Sequence, residues 1–231
     1  MISENKGAIE GGNHAALWHG RFKEGPDAQA VEFETSIHVD ERMVFDDIFG
    51  SQAHVEMLGH AGIIPQEESA LIIKTLEEIA SDLKKGNLQV DYSAEDIHSF
   101  IEGVLTDRIG EIGKKVHTGR SRNDQIALDE RLYLRHAIPD LQNRIVTLVS
   151  TLAEIASNHT TSLLSGYTHM QRAQPVTLAH HLCAWCWMLI RDHSRLQDAL
   201  KRINLSPLGA GALAGSSLPL DRNFVAEKLN F

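Results

Sequence analysis

This 231-residue chain has no long apolar run. The longest, Leu182–Ile190, falls far short of the roughly 20 residues that a membrane-spanning helix needs. The N-terminus is polar and glycine-rich and lacks the apolar core of a secretory signal. Two cysteines are too few for a disulfide framework, so a reducing, cytoplasmic location is expected. Positive charge is also short: 22 Lys and Arg stand against 31 Asp and Glu, a net charge of −9. That balance argues against nucleic acid or an anionic membrane as the main partner, and any basic cluster must then be local site chemistry. There is no phosphate-binding glycine loop and no metal-ligand spacing, so no cofactor and no metal is implied. Cys183-Ala-Trp-Cys186, beside His180 and His181, is the nearest approach to a redox pair or half a zinc site. With no second cysteine pair and no preceding strand pattern, it reads as two small apolar residues on one face of a buried helix.

Strand and hairpin patterns are missing as well, apart from a short extended piece at Leu88–Val90. What is present is helix. Residues 1–16 read as a flexible tail, followed by an aromatic-basic knot at Trp18, His19, Gly20, Arg21 and Phe22. Helical periodicity starts near Ala30. Gly62 and Pro65 close one helix and open the next, which has acids in its first turn and Lys84, Lys85 and Gly86 at its end. Ser93 is the expected N-cap of a further helix running to about Ile109. Then Leu134, Ile138, Leu141, Ile145, Leu148, Leu152 and Ile155 repeat at spacings of 4, 3, 4, 3, 4 and 3, a heptad seam. Pro139 lies inside that seam without shifting its phase. A second stripe, Leu178, Leu182, Trp185, Leu189, Leu196, Ala199 and Ile203, predicts another long helix from about Thr177. The expected fold is all-α: a small helical N-terminal domain over 17–116, then the long helices of a central bundle over 117–231. That bundle is incomplete and needs other subunits to cover its seams.

Two polar islands interrupt this pattern. His117-Thr118-Gly119-Arg120-Ser121-Arg122-Asn123-Asp124 stands at the entrance of the first long helix. Free N–H groups, the helix dipole and two arginine forks make such an entrance a natural holder of carboxylates. The plain alternative is an elaborate N-cap with solvated arginines. The second island, Ser165 to Pro175, lies between the long helices and gathers Tyr167, Thr168, His169, Gln171, Arg172 and Gln174. Histidine suits proton transfer near neutral pH, and the plain alternative here is a capped loop histidine.

The two islands resemble the first and second signature regions of argininosuccinate lyase, a family within the fumarase/aspartase superfamily. Leu17 to Phe22 resembles the family's opening L-W-G-G-R-F, with His19 in place of the usual glycine. Ser36-Ile37-His38-Val39-Asp40, Glu95-Asp96-Ile97-His98 and Ser206-Pro207-Leu208-Gly209 to Ala214-Gly215 match too. The resemblance implies reversible cleavage of argininosuccinate to arginine and fumarate. It implies Ser36, Arg122, Asn123 and Thr168 as contacts to the substrate's carboxylate or amino-acid groups, with Thr118, Arg120, Ser121 and Gln171 in the same anion-holding role. His169 would be an acid/base or orienting residue. Asp96 and His98 resemble a mobile segment near the site, where a functional and a purely structural role both remain open. It also implies a homotetramer whose active sites are shared between subunits.

One part of the family pattern is not found. The third signature, a flexible loop that supplies a catalytic serine, has no counterpart in these residues. Gly215-Ser216-Ser217-Leu218-Pro219 lacks its Lys and Asn and reads as an ordinary turn leading to Asp221-Arg222. The family's chains are about twice as long, so this chain is expected to be an N-terminal half: a shortened product, an incomplete gene product, or one part of a split enzyme with a separate C-terminal chain. Little activity is then expected of it alone. Two other readings compete: a non-catalytic structural or interaction protein on the same scaffold, and a sister lyase such as adenylosuccinate lyase.

Overall fold

The computed structural model describes residues 27–231. The expected tail and the Trp18–Phe22 motif lie outside the described residues. The chain divides into two compact units, one containing residues up to Ile126 and Leu208–Leu229, the other Ala127–Pro207 with Asn230–Phe231. Among the described residues no helix is long and apolar enough to cross a membrane.

The first unit is helical. Short helices α1 (Ala28–Glu34) and α2 (Ile37–Asp40) lead through a 3-10 turn into α3 (Val44–His60). Helix α4 (Gln66–Lys85) follows, with Glu67 and Glu68 in its first turn, Lys84 and Lys85 in its last, and Gly86 as C-cap. On α4, Ile72, Leu76 and Ile79 are fully buried, the i, i+4, i+7 stripe of a helix with one core face. α5 (Ile97–Ile109) runs into a 3-10 segment, Gly110–His117. α3, α4 and α5 pack on one another, and α8 (Arg222–Lys228) packs on α3. Their core holds Ile48, Val55, Leu58, Ile101, Leu105, Val225 and Leu229.

Two local expectations need correction here. Leu88–Val90 forms no strand. The N-cap of α5 is Asp96, not Ser93: Asp96 Oδ1 accepts from Ser99 N at 2.6 Å, while Ser93 N is held in a turn by Asp91 Oδ1 at 2.9 Å. The Asp96 carboxylate stands three residues before the free Ser99 N–H, the spacing an N-cap needs, whereas Ser93 lies three residues further upstream.

The second unit is built on the long helices α6 (Arg122–Asn158), of 37 residues, and α7 (Leu178–Ile203). Helix α6 begins in the first unit and continues through Pro139. α6 and α7 are antiparallel: Gln142 Nε2 donates to His193 O at 3.1 Å, and Cys186 Sγ to Val149 O at 3.9 Å. The heptad seam is only partly covered. Ile138 is buried, while Leu141, Leu148 and Ile155 remain 41–48% exposed. On α7, buried Cys186 takes the seam position expected for Trp185, which is exposed. Cys183 is exposed, so the two cysteines do not share the buried environment the sequence suggested.

Strands β1 (Leu163–Thr168) and β2 (Gln171–Thr177) form an antiparallel hairpin between those helices. The sequence reading missed it. The two-residue turn is His169-Met170, both left-handed with φ of 49° and 60°. Such turns normally advertise themselves by Asn-Gly or Asp-Gly, and neither is present. Gly166 marks an irregular register between Ser165 and Tyr167; a Cβ there would meet Gln174 O at 2.7 Å.

Candidate functional site

The first island forms a helix entrance whose cap is local. Ser121 Oγ accepts from Asn123 N at 3.3 Å, and Asp124 Oδ1 accepts from Ser121 N at 2.9 Å. This is a capping box, so Ser121 and Asp124 follow the plain reading of the island. Asp124 does more than cap. Its Oδ2 accepts from Gly209 N at 3.0 Å and Gly211 N at 2.9 Å, which fastens the 208–211 segment to the entrance. Asn123 Nδ2 adds a bond to Ala212 O at 3.3 Å. Gly119, at φ +70°, lies instead against the residues that follow, where a Cβ would meet Leu220 at 3.0 Å and Leu218 at 3.3 Å. The expected turn at Gly215 to Pro219 is therefore part of the wall around the entrance. Asp221 caps α8 through Phe224 N at 2.9 Å.

The arginines do not follow the plain reading, because neither is simply solvated. Arg120 is buried and donates from Nη1 to Ser51 Oγ on α3 at 3.0 Å. Arg122 is braced on all three nitrogens. Nε lies 3.3 Å from Asp96 Oδ2, Nη1 donates to Gln125 Oε1 at 3.1 Å, and Nη2 donates to Ser99 Oγ at 3.2 Å. Asp96 thus caps α5 and pairs with the arginine that opens α6. Ser36 joins the same end of α5: its N donates to Glu95 O at 2.9 Å and its Oγ to Asp40 Oδ2 at 2.6 Å. Asp40 Oδ1 in turn accepts from Ile97 N at 3.1 Å.

Behind these residues is a buried polar layer that the sequence reading did not find. Asp47, 1% exposed, accepts on Oδ1 from His98 Nδ1 at 3.0 Å and from Gln125 Nε2. Burial alone would raise the Asp47 carboxyl, but His98, Arg120 and Gln125 together hold it well below the ordinary carboxylate range. His54 is also buried, with Nε2 2.9 Å from Thr118 O. Burial, then the charge of Arg120, push it down to about 3. Burial and the charges of Arg120 and Arg122 push His117 down to about 4. Both imidazoles are neutral near pH 7, so His54 donates through Nε2 and its Nδ1 is an acceptor with no partner among the described residues. Glu102 on α5 is raised, chiefly by burial, against the pull of Arg122 and Arg120. In this layer Arg120 and Arg122 are fixed positive charges, and His54 and His117 are neutral near pH 7.

The structure thus brings together Ser36, Asp96, His98, Thr118, Arg120, Ser121, Arg122 and Asn123 within the first unit. Thr168, His169 and Gln171 belong to the second. There Thr168 and Gln171 are the closing pair of the hairpin, and His169 is in its turn. All three are exposed. The missed residues, Asp47, Ser51, His54, Ser99, Glu102 and Gln125, sit on α3, α5 and α6. One signal was available: a charged residue at Asp47, between Val44 and Ile48 on a helix whose neighbours are core.

A family model described as Lyase matches residues 20–231. Argininosuccinate lyases of Heliobacterium mobile and Carboxydothermus hydrogenoformans are 53% and 54% identical over 215 residues, 93% of this chain and 47% of each relative. The chain therefore spans about half the length of the curated relatives it matches. Among solved structures, an EDDS lyase variant with bound fumarate aligns at a TM-score of 0.68 and 32% identity, over 80% of this chain and 36% of that one. A fumarate lyase:delta crystallin from Brucella melitensis bound to cobalt aligns at a TM-score of 0.67 over 87% of this chain and 48% of that one. At 19% identity it shares the fold alone.

Proposed function

The chain belongs to the lyase family, and from that premise we propose that it carries one wall of an argininosuccinate lyase site, for reversible elimination of argininosuccinate to arginine and fumarate. The observation that carries this reading is Arg122. A guanidinium has five N–H donors. Among the described residues Asp96, Gln125 and Ser99 engage its three nitrogens, which leaves an N–H on each terminal nitrogen of a side chain that is 25% exposed. A rigid, partly open fork of this kind suits a carboxylate.

The chemistry explains the need for it. A proton must leave carbon beside a carboxylate, and the charge that develops settles on the carboxylate oxygens. Fixed donors aimed at that charge lower the barrier without reorganising. In this reading Arg122, Asn123, Ser36 and Thr168 hold the carboxylate and amino-acid groups, with Thr118, Arg120, Ser121 and Gln171 in support. His169 moves or orients a proton. Asp96 has the narrower role of bracing Arg122, and His98 that of bracing Asp47. Residues 17–116 form the N-terminal domain and 117–231 the opening part of the bundle. The assembly is a cytoplasmic homotetramer of arginine biosynthesis with sites shared between subunits, completed by the C-terminal half that the relatives possess. The exposed Leu141, Leu148, Ile155 and Trp185 support this part of the reading, since such stripes require cover.

The test is fumarate absorbance with argininosuccinate as substrate. The chain alone is expected to show no turnover. Co-expression with the C-terminal half of a curated relative restores it, and Arg122→Ala in that complex removes it. Robust turnover by the chain alone, or a complex active with Arg122→Ala, overturns the reading.

A further inference from the structure

Gln125 connects the buried layer to the open fork. Its side chain is 2% exposed, its Nε2 donates to Asp47 Oδ1, and its Oε1 accepts from Arg122 Nη1 at 3.1 Å. An amide has one donor end and one acceptor end. A guanidinium only donates, and an ionised carboxylate only accepts. A single orientation of Gln125 therefore satisfies both neighbours; the reversed amide sets carbonyl against carboxylate and NH2 against guanidinium. Asp47 is itself fixed, because the same Oδ1 accepts from His98 Nδ1 on α5 at 3.0 Å.

We propose that Gln125 is a positioning residue: its amide, set by Asp47, fixes the plane of the Arg122 guanidinium so that the remaining terminal N–H pair meets a substrate carboxylate. This rests on the reading of Arg122 given above. Of the three braces on Arg122, Asp96 and Ser99 both come from the start of α5. Gln125 alone comes from the arginine's own helix and reaches through Asp47 to α3. It couples the fork to the packing of α3, α5 and α6, and bidentate recognition of a carboxylate depends on a fixed plane.

The test follows the Arg122 guanidinium N–H signals by nuclear magnetic resonance in the full chain, with Gln125→Met and Gln125→Glu, folding being checked by circular dichroism. Methionine keeps the volume and removes both bonds. Its Arg122 N–H groups should exchange with water about tenfold faster or more than in the unchanged chain. With Gln125→Glu the outcome depends on pH. At acidic pH the new carboxyl shares a proton with Asp47 and donates as the amide did, so exchange stays slow; once both are ionised they repel and exchange accelerates. The other charged or titratable groups around this pair are His54 on α3, Asp96, His98 and Glu102 on α5, His117, Arg120, Arg122 and Asp124 at the α6 entrance, and buried Asp129 one turn further along α6, within 4.8 Å of the Asp47 carboxylate and the His98 ring, so each pH point is compared with the unchanged chain.

A catalytic readout comes from the complex with the C-terminal half. There Gln125→Met should raise the KM for argininosuccinate about tenfold and leave kcat within about threefold. Unchanged Arg122 exchange in Gln125→Met overturns the inference whatever the substrate. Accelerated exchange with an unchanged KM overturns the link between the fixed plane and substrate. Accelerated exchange in a complex that never turns over argininosuccinate upholds the positioning of Arg122 and overturns the proposed reaction instead.

Discussion

At the entrance of α6 the candidate residues are cross-braced, with Arg120 buried, Thr118, Ser121 and Arg122 half-buried and Asn123 exposed. At the tip of the β1–β2 hairpin they stand in solvent on a turn of two left-handed residues. The first region is finished in itself: Asp47, Asp96 and Asp124 each hold two or more donors, and the arginines are locked before any substrate arrives. The second presents Thr168, His169 and Gln171 on a strained turn, with Met170 92% exposed. Left-handed backbone at residues with a Cβ is costly and clusters at functional sites. In the proposed reading the two islands divide the work, the first as a preorganised electrostatic wall and the second as the bearer of the proton-transfer group.

The largest effect expected from this contrast is on stability. Asp47→Ala removes the carboxylate shared by His98, Arg120 and Gln125 and should destabilise the first unit by on the order of 3–5 kcal/mol in urea unfolding. His169→Ala, on an exposed turn, should change stability by less than about 1 kcal/mol. Equal effects would break the comparison.

Acid should act on the same region. The folded His54 and His117 bind protons only near pH 3 and 4, against an ordinary value of 6.5. Between those limits the unfolded chain takes up protons that the folded chain refuses. Stability is then full above about pH 6.5 and falls as pH drops towards 3. Asp47 adds a further loss below its ordinary 3.8, since its folded value lies lower. Amide exchange against pH should show α3 and the α6 entrance opening first; uniform opening of both units would count against this account.

Asp124→Asn is milder. An amide cannot accept on both sides, so either Ser121 N or the Gly209–Gly211 pair loses its acceptor, for about 2 kcal/mol. Faster exchange at Gly209 and Gly211 would identify which side is lost.

Much of this division was legible in the sequence, but unevenly. The long helices were visible because their apolar spacing repeats over many turns, and Gly86 and Pro65 marked boundaries by local backbone chemistry. The islands stood out as dense polar runs. The buried layer did not, because its members are single residues joined across large separations: Asp47 meets His98 and Gln125 from a helix far upstream. No periodicity encodes such a pairing. The hairpin was hidden for the opposite reason, since its turn uses His and Met where glycine or asparagine normally signals a left-handed backbone.

That hidden turn gives the smallest effect and the clearest change of sign. Left-handed backbone costs a residue with a Cβ roughly 1 kcal/mol relative to glycine. Met170 has φ of 60° and no burial to repay it. Met170→Gly should therefore stabilise the chain by about 0.5–1 kcal/mol, whereas Gly119→Ala, at φ +70° beneath Leu220 and Leu218, should destabilise it by about 1–2 kcal/mol. Thermal unfolding of the two variants reads both signs. A stabilised Met170→Gly chain that also loses turnover in the completed enzyme would show that the strain at the tip serves to aim His169. Full turnover with the same gain in stability would show that the strain has no part in presenting it.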